Sequence, residues 1–119
     1  MNVREPYYSL LRSGVKSVEG RLHKGIFKDW YERIQRGETI HLTITSSGDR
    51  SQSFEASIIG ARSYDTFEEL LVTEGLRHVL PNIRTLADGI NVYRQFYTAE
   101  NEQQYGTCAF YMKSVVAYH

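Results

Sequence analysis

The sequence predicts an α+β domain in which helices surround a small β-barrel. Three observations carry this. Residues Thr39 to Thr45 alternate polar and apolar without a break, the pattern of a half-buried strand. Phe27, Trp30, Tyr31 and Ile34 recur at helical spacing. Helical and strand patterns succeed one another without the regular strand–helix–strand rhythm of a parallel sheet.

Taken in order, Glu5 to Gly14 reads as a short helix, with Pro6 at the first helical position, Gly14 as the left-handed stop, and Tyr7, Leu10 and Leu11 as its apolar stripe. A charged segment then runs as a strand to Leu22. The helix of Phe27 to Ile34 closes at Gly37. In the next strand Ile40, Leu42 and Ile44 share the buried face, and Ser46-Ser47-Gly48-Asp49 is a turn. Ser53 to Tyr64 is a second strand. Asp65 and Glu68 have capping-box spacing ahead of a helix that turns Phe67, Leu70 and Leu71 inward. Gly75 breaks that helix, and Pro81 stops the segment beyond it. Thr85 and Asp88 form another cap, with Leu86, Ile90, Tyr93 and Tyr97 behind them at helical intervals. Gly106 to Val116 is a final strand, with Cys108, Phe110 and Met112 on one face and Thr107, Ala109, Tyr111 and Lys113 on the other.

At 119 residues the chain is read as one domain, 1–119. A chain of this size buries roughly two-thirds of its unfolded surface, enough for a core without staples. A composition 41% hydrophobic and 13% aromatic excludes a disordered chain. No apolar run approaches the roughly 18 residues of a membrane span. Met1 to Glu5 lacks the basic-then-apolar pattern of a secretory signal. A single cysteine, Cys108, precludes an internal disulfide, reads as a small core residue, and makes a reducing, cytoplasmic setting the expectation. Four scattered histidines lack ligand spacing, and there is no glycine-rich phosphate loop or serine elbow, so neither a metal nor a cofactor is expected.

The net charge is zero, which argues against a general polyanion binder. The average hides an asymmetry. Residues 1–36 hold eight Lys and Arg against four acids, and the remainder six against ten, so the two parts carry +4 and −4. Such a division can build a locally positive face on a neutral protein.

The candidate site lies at Gly14 to Arg21, where Lys16, Glu19 and Arg21 crowd into six positions behind a glycine. Charged side chains of opposite sign in so short a segment fit a polar pocket better than a core strand. Glu19 and Arg21 share strand parity and project to one side; Lys16 has the opposite parity. For all three to meet, Lys16 must lie in the turn before the strand, or a bulge must intervene. Lys16 could hold phosphate or act as base or nucleophile. Glu19 could orient Lys16, move a proton or bond a base edge. Arg21 suits phosphate or carboxylate. Tyrosines, Tyr93 and Tyr97 among them, offer surfaces for stacking a base.

Glu5-Pro6-Tyr7-Tyr8-Ser9-Leu10-Leu11 followed by Gly14-x-Lys16-x-Val18-Glu19-Gly20-Arg21 resembles the ASCH domain, a branch of the PUA-like superfamily, and within it the C-terminal domain of the activating signal cointegrator. The similarity continues through Tyr64 to Leu71, Glu74-Gly75-Leu76, Val79-Leu80-Pro81, Tyr93, Phe96, Tyr97 and Tyr105-Gly106, nearly the whole chain. The resemblance implies a PUA-like β-barrel with helices around it and a cleft beside the motif. It associates the chain with RNA. Some members cut single-stranded RNA, a bacterial branch hydrolyses the acetyl amide of N4-acetylcytidine, and others act as coactivator modules. In the amidase branch the working residues are a lysine, a threonine and a glutamate. The lysine matches Lys16, the threonine falls where this chain has Glu19, and the glutamate corresponds to Glu74. The resemblance therefore implies Lys16, Glu19 and Glu74 as candidate catalytic residues. Lys16, Glu19, Arg21, Tyr93 and Tyr97 are the candidate ligand contacts. The leading expectation is a module that binds RNA, a nucleotide or a modified nucleoside. Alternatives are a hydrolase of single-stranded RNA or N4-acetylcytidine, and a protein-interaction module whose positive face docks an acidic partner.

Overall fold

A computed structural model describes residues 1–115. In chain order the elements are β1 (Asn2–Val3), α1 (Tyr7–Ser13), β2 (Val18–Leu22), α2 (Ile26–Gln35), β3 (Ile40–Ser46), β4 (Ser53–Tyr64), α3 (Phe67–Glu74), α4 (Leu76–Val79), α5 (Leu86–Arg94), α6 (Ala99–Tyr105) and β5 (Thr107–Ser114).

The five strands form one sheet in the order β1-β3-β4-β5-β2. β1 runs parallel to β3 and every other pairing is antiparallel. In a flat sheet the outermost strands, β1 and β2, would lie roughly 19 Å apart, four strand spacings. Here the Arg21 side chain on β2 reaches the Asn2 carbonyl on β1 at 3.0 Å. The sheet therefore curls until its edges face each other across an open seam, giving a half-barrel rather than a closed barrel. A register shift between Ile58 and Gly60 adds to the curl: Ile59 is left unpaired and points out to solvent, 59% exposed.

The two faces of β5 serve two cores. Cys108 and Phe110 join Ile34, Ile40 and Ile58 under α2, where Phe27 and Trp30 seal the cluster. Ala109 joins the larger core with Tyr8, Leu11, Phe67, Leu70, Leu71 and Val79. Thr107 and Ala109, on the face read as the opposite one, are thus as fully buried as Cys108 and Phe110, because β5 is an interior strand with helices packed on both sides. The alternation of β3 holds, with Ile40 and Ile44 buried and His41 and Thr43 outside the core.

Several boundaries differ from the sequence reading. Pro6 takes the capping position of α1, one residue earlier than predicted, where its missing N–H is equally harmless. The cap of α3 is Thr66, whose hydroxyl accepts from Glu69 N–H at 3.0 Å, one residue beyond the Asp65/Glu68 pair. Thr85 caps α5 through Asp88 N–H as expected, but that helix ends at Arg94, before Tyr97. Helix α6 has no counterpart in the sequence reading: Ala99 to Tyr105 is almost entirely polar and presents no apolar stripe. It is fixed by the Thr98 cap and by Glu102, a buried carboxylate that accepts from Phe67 N–H at 2.8 Å and pairs with Arg94 at 2.7 Å. The last strand starts at Thr107 and ends at Ser114; Val116 lies outside the described residues.

Candidate functional site at the seam

Gly14 ends α1 in the left-handed conformation, φ +82°, which a residue with a Cβ adopts at a cost. The chain then turns back toward β2. Lys16 lies in this link, its N–H bonded to Leu10 C=O at 3.0 Å, two residues ahead of the strand. The turn removes Lys16 from strand alternation and lets it meet Glu19 and Arg21, as the parity argument requires. Its side chain runs inward until the residue is 1% exposed. The ammonium donates to the carbonyls of Val18, at 2.6 Å, and Val79, and lies 3.5 Å from Glu19 Oε1. Three acceptors match the three donors of a protonated amine. Burial pulls the Lys16 ammonium below its ordinary value, and the Glu19 carboxylate opposes that.

Glu19 is 7% exposed, and its two oxygens divide between two cations. Oε1 faces Lys16, and Oε2 accepts from Arg21 Nη2 at 3.2 Å. Burial alone would raise this carboxyl; the ammonium and the guanidinium outweigh it and hold Glu19 below the usual carboxylate value. Arg21 Nη2 also donates to the Asn2 carbonyl at 3.0 Å. The same side chain thus joins the ion cluster and spans the seam.

The opposite wall is aromatic. Tyr93 on α5 stacks on Phe67, with centroids 4.1 Å apart and planes within 5°, and Tyr97 lies beside it at 5.4 Å from the same ring. Phe67 is fully buried, so α3 fixes both tyrosines. The Tyr93 hydroxyl reaches over Gly20, where a methyl group would come within 2.5 Å of it. That hydroxyl is buried and has no hydrogen-bond partner among the described residues. Burial pushes its pKa well above the ordinary tyrosine value.

Between these walls is a cleft of about 210 Å³ lined by Arg4, Lys16, Glu19, Arg21, Tyr93, Phe96 and Tyr97, with Gly20 on its floor. A cavity of about 150 Å³ already holds benzene, so the cleft has room for one heterocycle. Phe96 is 54% exposed at the mouth, with the Arg4 guanidinium 4.3 Å above its ring. The five candidate ligand contacts of the sequence reading therefore converge.

Glu74 does not join them. It ends α3, where Oε2 accepts from the hydroxyls of Tyr64 and Tyr111, the latter at 2.6 Å. Burial and the bond to Glu74 push the Tyr64 hydroxyl up to about 12. The carboxylate that the amidase resemblance paired with Lys16 thus ties α3 to the sheet. Sequence reasoning also missed Arg4, Phe96 and the Asn2 carbonyl as parts of the site. A two-residue strand has no periodicity to read, and Phe96 stood only within the family resemblance.

A larger, open groove of about 1170 Å³ lies between the β2–α2 turn, the start of α3 and α6. Its charges alternate, Lys24 and Lys28 against Glu68 and Glu69, and it gathers none of the predicted site residues. Size alone does not make it the better candidate. The smaller cleft combines enclosure, converging charges and an unpartnered buried hydroxyl.

Fold and site together define a class: an α+β half-barrel whose open seam holds a cationic, aromatic-walled cleft. No protein-family model and no curated protein matches the chain. Solved structures do. The chain is similar to the hypothetical protein PH0355, known from a crystal structure, at 31% identity over 97% of this chain and 96% of that one, with a TM-score of 0.75. It is likewise similar to protein PF0455 from Pyrococcus furiosus, known from a solution NMR structure, at 31% identity over 97% and 94% of the two chains, with a TM-score of 0.68. The chain belongs to the same family as the hypothetical protein PH0355.

Proposed function

We propose that the chain is an ASCH-type, PUA-like binding module that takes a nucleobase into the seam cleft, from RNA, a nucleotide or a modified nucleoside. One observation carries this reading: Arg21, whose Nε and Nη1 N–H groups have no acceptor among the described residues, lines an aromatic-walled cleft with room for one ring. A buried hydroxyl without a partner costs about 1–3 kcal/mol. A ligand with a polar edge removes that cost once the Tyr93 ring shifts to open its hydroxyl to the cleft. Tyr97 and Phe96 offer ring faces to a base, and Arg21 offers N–H groups to its carbonyl or phosphate oxygens. Lys16 and Glu19 act behind Arg21, holding its guanidinium at the cleft.

Binding is better supported than turnover because the Lys16 amine is occupied by two carbonyls and a carboxylate, which leaves no lone pair for attack. A hydrolase reading rests on Glu19, the one carboxylate among the described residues that line the cleft and so its candidate proton acceptor. Fluorescence titration with short single-stranded RNA and with nucleosides tests the first reading. Wild type binds, and Arg21→Ala binds about tenfold or more weakly; equal affinity of the two would remove it. Chromatography after incubation with N4-acetylcytidine and unstructured RNA tests the second. Turnover no greater than that of Glu19→Gln would remove it.

A further inference from the structure

We infer that the ligand of the seam cleft is anionic, and that the unit bound is a nucleotide, through its phosphate, rather than an uncharged nucleoside. The inference rests on the binding reading above and narrows it. The charge count at the cleft carries it. The lining holds three cations, Arg4, Lys16 and Arg21, against one carboxylate, Glu19. Both Glu19 oxygens are taken, one by Lys16 at 3.5 Å and the other by Arg21 at 3.2 Å. One carboxylate thus answers two largely buried cations, and a positive charge remains beside an apolar wall. Buried charge calls for a counter-charge.

Arg21 is where the surplus is available. Of its five N–H donors, those of Nη2 have acceptors among the described residues, the Glu19 carboxylate and the Asn2 carbonyl. The three N–H groups on Nε and Nη1 have none there. Arg4 adds a second unbalanced charge at the mouth. Its guanidinium rests on the exposed Phe96 ring and donates to the neutral Gln95 amide at 3.2 Å, with no carboxylate partner among the described residues. A cleft with low-dielectric walls and one sign of excess charge concentrates oppositely charged ligands. The cations supply the anion site, and the space beside Tyr93 and Tyr97 supplies the ring site. A phosphate joined to a heterocycle through a sugar fills both.

The test is calorimetric titration at low salt with the common nucleosides, their monophosphates, inorganic phosphate and a short single-stranded RNA, on wild type, Arg21→Gln and Arg4→Gln. Circular dichroism checks folding of each variant. At least one monophosphate binds about tenfold or more tightly than its nucleoside. That ratio falls toward unity in Arg21→Gln and by roughly threefold in Arg4→Gln, and added salt weakens the monophosphate but not the nucleoside. If Arg21→Gln fails to fold, the exposed Arg4→Gln and the salt series still decide. Equal affinities for nucleoside and monophosphate would overturn the inference and leave the binding reading standing. Phosphate binding as tightly as every monophosphate would reduce the cleft to a simple anion site and overturn the nucleotide assignment. Absence of binding by nucleosides, monophosphates and RNA alike would sink the binding reading and this inference with it.

Discussion

Arg21 and Asn2 belong to strands at opposite ends of the sheet order, yet the Arg21 guanidinium donates to the Asn2 carbonyl at 3.0 Å. That bond places the ion cluster and the seam in one structure: whatever holds the guanidinium also holds the two edges of the half-barrel at their separation. The guanidinium is held by Glu19, and Glu19 by Lys16. Three residues of one short segment thus set both the local charge and the width of the cleft.

Lys16 is the anchor of this chain. Its removal leaves the Glu19 carboxylate with one cation and strips a donor from the Val18 and Val79 carbonyls. Lys16→Met is therefore expected to cost about 3–5 kcal/mol, the range for breaking a buried pair. Glu19→Gln made in addition breaks a contact already lost, so the double variant loses less than the sum of the single losses. Urea denaturation at constant slope measures both. Additive losses would mean that the two side chains do not act as a pair.

The acid response comes from Glu19. Its carboxyl is depressed in the folded protein by Lys16 and Arg21, which outweigh the burial that would raise it. A carboxyl depressed on folding contributes stability above its ordinary value of 4.5 that is lost as pH falls through the lower folded value. Wild type is thus expected to exceed Glu19→Gln in stability at neutral pH, with the gap narrowing below 4.5. Glu5 and Asp49 are also depressed, by their serine neighbours, but both proteins carry them and the comparison cancels them. Thermal melts of the two proteins across this range measure the gap; a constant gap would place the Glu19 contribution outside ionisation.

The convergence of Lys16, Glu19 and Arg21 was legible in the sequence because it is local. Strand parity put Glu19 and Arg21 together, and Gly14 allowed the turn that brings Lys16 in. The strands and most helices were legible for the same reason: each carries its own periodicity. What could not be read was long-range. The reach of Arg21 to Asn2 spans the whole sheet order, and the burial of both faces of β5 depends on α2 lying on one side of it. Helix α6 has no apolar face, so its cap and the bond of Glu102 to Phe67 N–H, made in three dimensions, decide its place.

Glu74 offers a clean separation of roles. Its carboxylate serves the hydroxyls of Tyr64 and Tyr111 and lines no part of the cleft. Glu74→Gln weakens two charge-assisted bonds and is expected to destabilise by about 1–2 kcal/mol. Affinity for any cleft ligand stays as in wild type, to be checked by the same titration. A loss of binding with stability intact would return Glu74 to the functional site.

Tyr93 carries a prediction of opposite sign in two measurements. Tyr93→Phe deletes a buried hydroxyl that has no partner among the described residues while keeping the stack on Phe67. Without ligand the variant should be as stable as wild type or more stable by up to about 1–2 kcal/mol, since a desolvated group is removed. With ligand it should bind about tenfold more weakly, the worth of one buried hydrogen bond. A purely structural hydroxyl would instead lower stability and leave affinity alone. Gly20→Ala probes the same contact from the other side. Its methyl group would stand 2.5 Å from the Tyr93 oxygen, too close for either to remain in place. Overpacking of this kind costs about 1–3 kcal/mol and displaces the ring that forms the wall. Pairing it with Tyr93→Phe removes the clashing oxygen and should recover most of that stability but none of the affinity, because the missing hydroxyl is the group proposed to meet the ligand.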